Sequence, residues 1–163
     1  RDMFLFSFYT RGMSFIDMAY LKKSDLKNGI ITYRRRKTGQ QLTVKWEKCM
    51  EDILAKYGEN TATRYLLPII TNPCSDERTQ YRNAICRINV ALKEVAGLAG
   101  LNIPLTMHVA RHCWASVAKS KNIPLSVISE GMGHDSEETT RIYLASLDTS
   151  VVDKANSLIL KDF

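Results

Sequence analysis

Apolar residues crowd positions 3–9, where Met3, Phe4, Leu5, Phe6, Phe8 and Tyr9 are interrupted only by Ser7. That density predicts a buried helix broken at Gly12. The chain restarts at Ser14, where Ser14-x-x-Asp17 has the form of an N-terminal capping box with Asp in place of Glu, and a second helix is predicted to about Leu21. Short β-rich runs at 29–34 and 41–45 flank Lys37-Thr38-Gly39-Gln40, and a glycine-bearing connection between such runs predicts a β-hairpin. From Trp46 onward the pattern turns helical, over 46–57 and, after a loop at 68–76, over 79–99. In the latter, Tyr81, Ile85, Ile88, Leu92, Val95 and Ala99 recur at intervals of three and four and mark a core-facing stripe. Thr106 can cap a helix over 107–119, Pro124 opens another that stops near Gly131, and Asp135 or Ser136 can cap a third over 137–145. Ser150 can cap a last short helix with Val151, Val152, Ala155, Leu158 and Ile159 on one face. The expected architecture is mainly α with a small antiparallel β-sheet (α+β).

Composition adds bounds. The 163 residues suit one domain, and 45% hydrophobic with 25% charged residues are globular values. No apolar run approaches the ~18–20 residues that span a bilayer, so no membrane partner is expected. The first residues lack the pattern of a secretory signal and resemble the interior of a longer chain. Cys49, Cys74, Cys86 and Cys113 are irregularly spaced with no C-x-x-C pair, which disfavours structural zinc and a disulfide framework, and a reducing cytoplasmic setting is the simpler expectation. A net charge of +6 invites an anionic partner.

Three segments could carry chemistry. His108 and Arg111 lie three residues apart on one predicted helix face, where an imidazole and a guanidinium can reach the same phosphate. A surface Arg beside a satisfied core His is the plainer reading of that pair alone. His112 follows His108 at a zinc-site spacing, but Val109 stands where a metallohydrolase needs its Glu. Gly133-His134 places a histidine in a turn before a helix that presents Tyr143, so another donor and a phenol could converge. Residues 125–144 also have the form of a helix-turn-helix, with Ile142 on the inner face. Arg34, Arg35 and Arg36, next to Lys37 on the hairpin, are a solvated cationic run or contacts to backbone phosphates.

In this order the segments resemble the catalytic domain of the tyrosine recombinases, also called phage-type integrases, and are similar to the integrases of conjugative mobile elements. Lys37-Thr38-Gly39 matches the β-hairpin lysine motif, His108-Val109-Ala110-Arg111-His112 the H-x-x-R-H motif, and Met132-Gly133-His134, Thr139-Thr140 and Ile142-Tyr143 the block around the nucleophile. The resemblance implies the DNA breaking-rejoining fold, present as the C-terminal part of a longer protein whose N-terminal DNA-binding domain is not in this sequence. It implies that Tyr143 attacks a phosphodiester of double-stranded DNA, giving a 3′-phosphotyrosyl link without metal, ATP or other cofactor. Arg111 and His134 would stabilise the charge that develops on phosphate, Lys37 would protonate the leaving 5′-oxygen, and His108 would assist deprotonation of Tyr143. Asp17 would orient the basic residues, and His112 would be structural. A homotetramer on DNA, linked by exchange of the C-terminal helix, and a nucleoid-associated cytoplasmic location follow from the same resemblance.

One position departs from the family. Aligning Gly12, Asp17 and Asp25 with the usual Gly-x-Arg-x-x-Glu-Leu pattern puts Ser14 where the first catalytic arginine is expected. Arg11, three residues earlier, is the expected substitute, swinging into the vacated phosphate site; its alternative is a contact to DNA outside that site. A helix-turn-helix regulator remains a non-enzymatic alternative that leaves Lys37, His108 and Arg111 unused. A type IB topoisomerase-like enzyme would use the same chemistry.

Overall fold

A computed structural model describes residues 1–58 and 62–145. Seven helices and one three-stranded antiparallel sheet make up this part, in agreement with the expected class. Helix α1 (Asp2–Tyr9) and α2 (Phe15–Ala19) are followed by a 3₁₀ turn and the strands β1 (Leu26–Lys27), β2 (Ile30–Arg34) and β3 (Gln41–Lys45). Then come α3 (Lys48–Ala55), α4 (Glu77–Leu98), α5 (Met107–Ser120), α6 (Leu125–Met132) and α7 (Glu137–Ala145). The predicted C-terminal helix with Val151, Val152, Leu158 and Ile159 lies outside the described residues.

Local chemistry accounts for most boundaries. Ser14 caps α2, accepting from the Asp17 N–H, while its hydroxyl donates to the Asp17 carboxylate at 2.6 Å. Asp76 caps α4 by accepting from the Thr79 N–H at 2.6 Å, so that helix begins two residues before the predicted start. Thr106 occupies the N-cap position of α5 without a capping side-chain bond; the Met107 N–H donates instead to Asn89 of α4 at 2.9 Å. Ser136, rather than Asp135, accepts from the Thr139 N–H at the start of α7.

Strands β2 and β3 pair Ile31 with Val44 and Tyr33 with Leu42, and these four residues bury one face of the sheet. That face joins Phe6, Met13, Met18, Met50, Leu67 and Leu92 in the larger core. Tyr81, Ile85 and Ile88 pack against it as the α4 stripe predicts, whereas Ala99 at the stripe's end is exposed. A smaller core of Ala115, Ala118, Ile128, Met132 and Leu144 joins α5, α6 and α7. Ile142 does not take the inner position expected of a helix-turn-helix, being 63% exposed, and Thr140 and Leu144 are buried in its place. The inward face of α7 is therefore committed to α5 and α6.

Helix α1 packs along α5. The turn after α1 is pinned by Ser7, whose hydroxyl donates to the Met13 carbonyl at 2.7 Å, and by Thr10, which donates to the Phe6 carbonyl at 2.7 Å. Its consequence is a fixed orientation for the Gly12 carbonyl.

Candidate active site

Arg111, one turn into α5, is 5% exposed. It donates from Nη1 to the Gly12 carbonyl at 2.8 Å and from Nη2 to the Met132 carbonyl at 2.6 Å, and Nη2 also lies 3.0 Å from His134 Nε2. A guanidinium only donates, so Nε2 is the acceptor and the imidazole is neutral, with its proton on Nδ1. That Nδ1–H donates to the Thr140 hydroxyl at 2.7 Å. Arg111 thus sets the tautomer of His134, and Thr140, fully buried on α7, accepts the remaining N–H and fixes the ring's orientation.

Two glycines make this arrangement possible. Gly12 has φ +75°, and a Cβ there would stand 2.7 Å from Arg111 Cγ and 2.8 Å from its Cα. Gly133 ends α6 in the left-handed conformation, and a Cβ there would stand 2.8 Å from Leu42 Cδ1 of β3. This close approach seats the hairpin on the α6–α7 turn, which is the physical content of the Gly-His motif. Substituting Gly12 by Ala is expected to lower stability by about 1–3 kcal/mol through strain and steric overlap, read as a fall in the urea midpoint. Arg111 must move to make room, and its bond to the Gly12 carbonyl would be lost with it.

Arg35 is the second buried guanidinium, 8% exposed, and its Nη1 donates to the Gly133 carbonyl. Its burial follows from β-sheet periodicity: it continues the inward phase of Ile31 and Tyr33. Among the described residues no carboxylate forms an ion pair with Arg35 or Arg111. Burial, reinforced by Arg35, pulls Arg111 down to about 10. Two cations brought together out of water, with carbonyl oxygens as neighbours, create a site that favours an anion.

Burial, with Arg111 and Arg35, also holds His134 down at about 4. Unfolded, this imidazole titrates near ~6.5. Between those values the unfolded chain binds the proton and the folded chain does not, so stability falls as pH is lowered through that window. His108 and His112 are shifted in the same direction, chiefly by burial. Unfolding midpoints at pH 7 and pH 4.5 should therefore differ less for His134→Gln than for wild type.

Tyr143 comes from the last turn of α7 and meets His134 edge-on, centroids 5.6 Å apart. Burial pushes its phenol up to about 12, against the opposing pull of Arg111 and Arg35. His108 is exposed at the start of α5, 6.4 Å from the Tyr143 ring. Lys37, on the exposed hairpin turn, bears electrostatically on both His108 and His134. Tyr143, Arg111, His108 and His134 are thus brought together, with Lys37 on the hairpin turn within electrostatic reach of the two histidines.

The remaining expectations divide. Asp17 is 5% exposed and accepts the Arg36 backbone N–H at 2.9 Å as well as the Ser14 hydroxyl, so it bonds to the hairpin backbone next to Arg35 rather than to a guanidinium. Arg34 and Arg36 are exposed, the latter with its guanidinium 3.7 Å over the Tyr20 ring, whereas Arg35, expected beside them, turns inward. Arg11 does not enter the cluster. Its side chain lines a different groove with Phe8, Trp114, Lys121, Glu130 and Gly131. The Arg11-Gly12 turn has positive φ at both residues and presents the Gly12 carbonyl, not the Arg11 side chain, to Arg111. Arg35 was legible in principle from its phase with Ile31 and Tyr33; nothing in the spacing points to Thr140 as the partner of His134.

Against known proteins, residues 3–150 match the family model described as the phage integrase family. A search of curated protein sequences gave no match. Among solved structures the chain is similar to XerA recombinase, with 22% identity, TM-score 0.68 and coverage of 96% of this chain and 55% of that one. It is also similar to XerH site-specific recombinase in a post-cleavage complex with its palindromic difH substrate (21%, TM-score 0.67, 96% and 45%). A third is lambda integrase(75-356), a dimer bound to a COC' core site (18%, TM-score 0.59, 88% and 51%). The chain spans about half the length of these proteins.

Proposed function

Because this chain belongs to the phage integrase family, we propose that it is the catalytic domain of a tyrosine site-specific recombinase that cuts and rejoins double-stranded DNA through Tyr143. The observation that carries this reading is the pair of buried guanidiniums, Arg35 and Arg111, set beside neutral His134 and one phenol. That set suits a phosphodiester as ligand and a tyrosine as nucleophile.

In the proposed step the Tyr143 oxygen forms a bond to phosphorus, its proton passing to His108, while the bond from phosphorus to the 5′-oxygen breaks and Lys37 supplies the proton that makes the free hydroxyl. A 5′-hydroxyl from the partner strand reverses the reaction on the 3′-phosphotyrosyl link. One phosphodiester replaces another, so the energy of the bond is conserved. Arg111 and Arg35 bear on the non-bridging oxygens, with Arg35 taking the role that Ser14 leaves open and that Arg11 was expected to fill. When phosphate oxygens draw Arg111 Nη2 away from His134, Nε2 is released to take up a proton and donate to the same phosphate. Asp17 and Thr140 are positioning residues for the hairpin backbone and for His134.

Arg34 and Arg36 are proposed to contact the backbone phosphates flanking the cut. We place this domain in the C-terminal part of a longer protein that encloses DNA. Four copies on DNA, joined by exchange of the segment that carries Val151, Val152, Leu158 and Ile159, are the proposed assembly. The test is formation of a covalent protein–DNA adduct on a nicked suicide substrate in EDTA; no adduct on the cognate site would falsify the reading.

A further inference from the structure

The Tyr143 ring lies face to face on His112, with centroids 4.8 Å apart and planes within 5°. Its hydroxyl oxygen is buried. An attacking oxygen must come within about 3–3.5 Å of phosphorus with a clear line opposite the leaving bond. Protein atoms occupy that approach, so Tyr143 has to leave this seat before it can act.

His112 contributes the flat surface of the seat. It lies four residues after His108 on α5, and the two rings meet edge to face at 4.5 Å. Its Nδ1 is buried and has no hydrogen-bond partner among the described residues. A histidine kept for its hydrogen bonds would not be left in this state. What the ring gains in return is contact across its face with the phenol, an aromatic pair with its own stabilisation beyond area.

We propose that His112 is a positioning residue that stacks on Tyr143 and holds the nucleophile withdrawn until bound DNA draws it out. This rests on the reading of Tyr143 as the nucleophile. In the seat the phenol is covered and, through burial, reluctant to ionise. Leaving it removes both obstacles together, while Arg111 and Arg35 continue to favour the phenolate. The seat is built between α5 and α7, so displacement of α7 relative to α5 would open it.

Two readouts test the assignment on the DNA-free protein and on the cleavage reaction. The first is nitration by tetranitromethane, followed by mass spectrometry of the tryptic peptide that begins at Ile142 and carries Tyr143 alone among the tyrosines. Tyr143 should be protected in wild type relative to Tyr57, which is 45% exposed, reactive in His112→Ala, and protected again in His112→Phe, which keeps the flat face without the nitrogens. Buried Tyr33 and Tyr65 report any general loosening, and His112→Leu, which keeps bulk without a flat ring, replaces Ala if they react.

The second is single-turnover cleavage of the suicide substrate with protein well below saturation, a rate that combines DNA binding and chemistry, where His112→Ala should form adduct roughly three- to tenfold faster, as expected for loss of one aromatic stack. His112→Phe should return to the wild-type rate. Equal nitration of Tyr143 in wild type and His112→Ala would overturn the proposal, as would slowed cleavage in both Ala and Phe variants, which would make the imidazole a participant in the chemistry. Adduct absent from every protein tested, wild type included, would remove the nucleophile reading, and the nitration pattern would still decide the stack.

Discussion

Tyr143→Phe should abolish the EDTA-resistant covalent adduct on a nicked suicide duplex carrying the cognate site, while wild type accumulates it. The substrate traps the intermediate because the short fragment with the free 5′-hydroxyl diffuses away and cannot reverse the reaction. Removing one oxygen deletes the atom that would bond to phosphorus and leaves the ring, its stack on His112 and its contact with His134 intact. Folding and DNA binding should therefore be unchanged, measured by thermal melt and gel shift. A non-enzymatic DNA-binding regulator would give the same binding and no adduct from either protein, so the single comparison separates the two classes. Persistence of the adduct in Tyr143→Phe would assign the nucleophile to another residue.

The next largest effect concerns the two arginines that compete for the open position. Arg35→Ala should slow adduct formation by about 10²–10³-fold, the usual scale for removing one preorganised donor to a developing oxyanion. Arg35→Lys should recover part of this, since an ammonium keeps the charge but loses the planar fork. Arg11→Ala should cleave close to the wild-type rate, because its side chain lines the groove with Trp114 and Glu130. The opposite ranking, with Arg11→Ala inactive and Arg35→Ala active, would mean that DNA binding rebuilds the turn at Gly12 and brings Arg11 inward. Melting temperatures accompany the rates, since Arg35 also satisfies the Gly133 carbonyl.

These two experiments bear on a site whose anion preference is built from carbonyl groups. Gly12, Met132 and Gly133 accept from the two guanidiniums. Carbonyl oxygens fix the direction of each cation without cancelling its charge, as a carboxylate would. Asp17, the nearest buried carboxylate in the expected set, spends its oxygens on Ser14 and the Arg36 N–H. The charge is thereby left for a ligand.

The sequence by itself determined the elements, the fold class and the resemblance to a family. Helical stripes, the hairpin and the capping residues follow from spacing within short windows, and the motifs around Lys37, Arg111, His134 and Tyr143 are likewise local. Departures at that level were small: α4 starts at its Asp76 cap, and β1 was too short to register as a pattern. Which arginine enters the site was another matter. Arg11 is nearest in sequence to the vacated position, but the positive-φ turn at Arg11 and Gly12 aims a carbonyl at Arg111, and the inward phase of β2 delivers Arg35 instead. The stack of His112 on Tyr143 and the hydrogen bond from His134 to Thr140 join α5 to α7 and α7 to the Gly133 turn. Only the tertiary structure decides such contacts, because a side chain's partner across elements depends on how helices and sheet pack, while sequence spacing specifies no more than which face of one element it occupies.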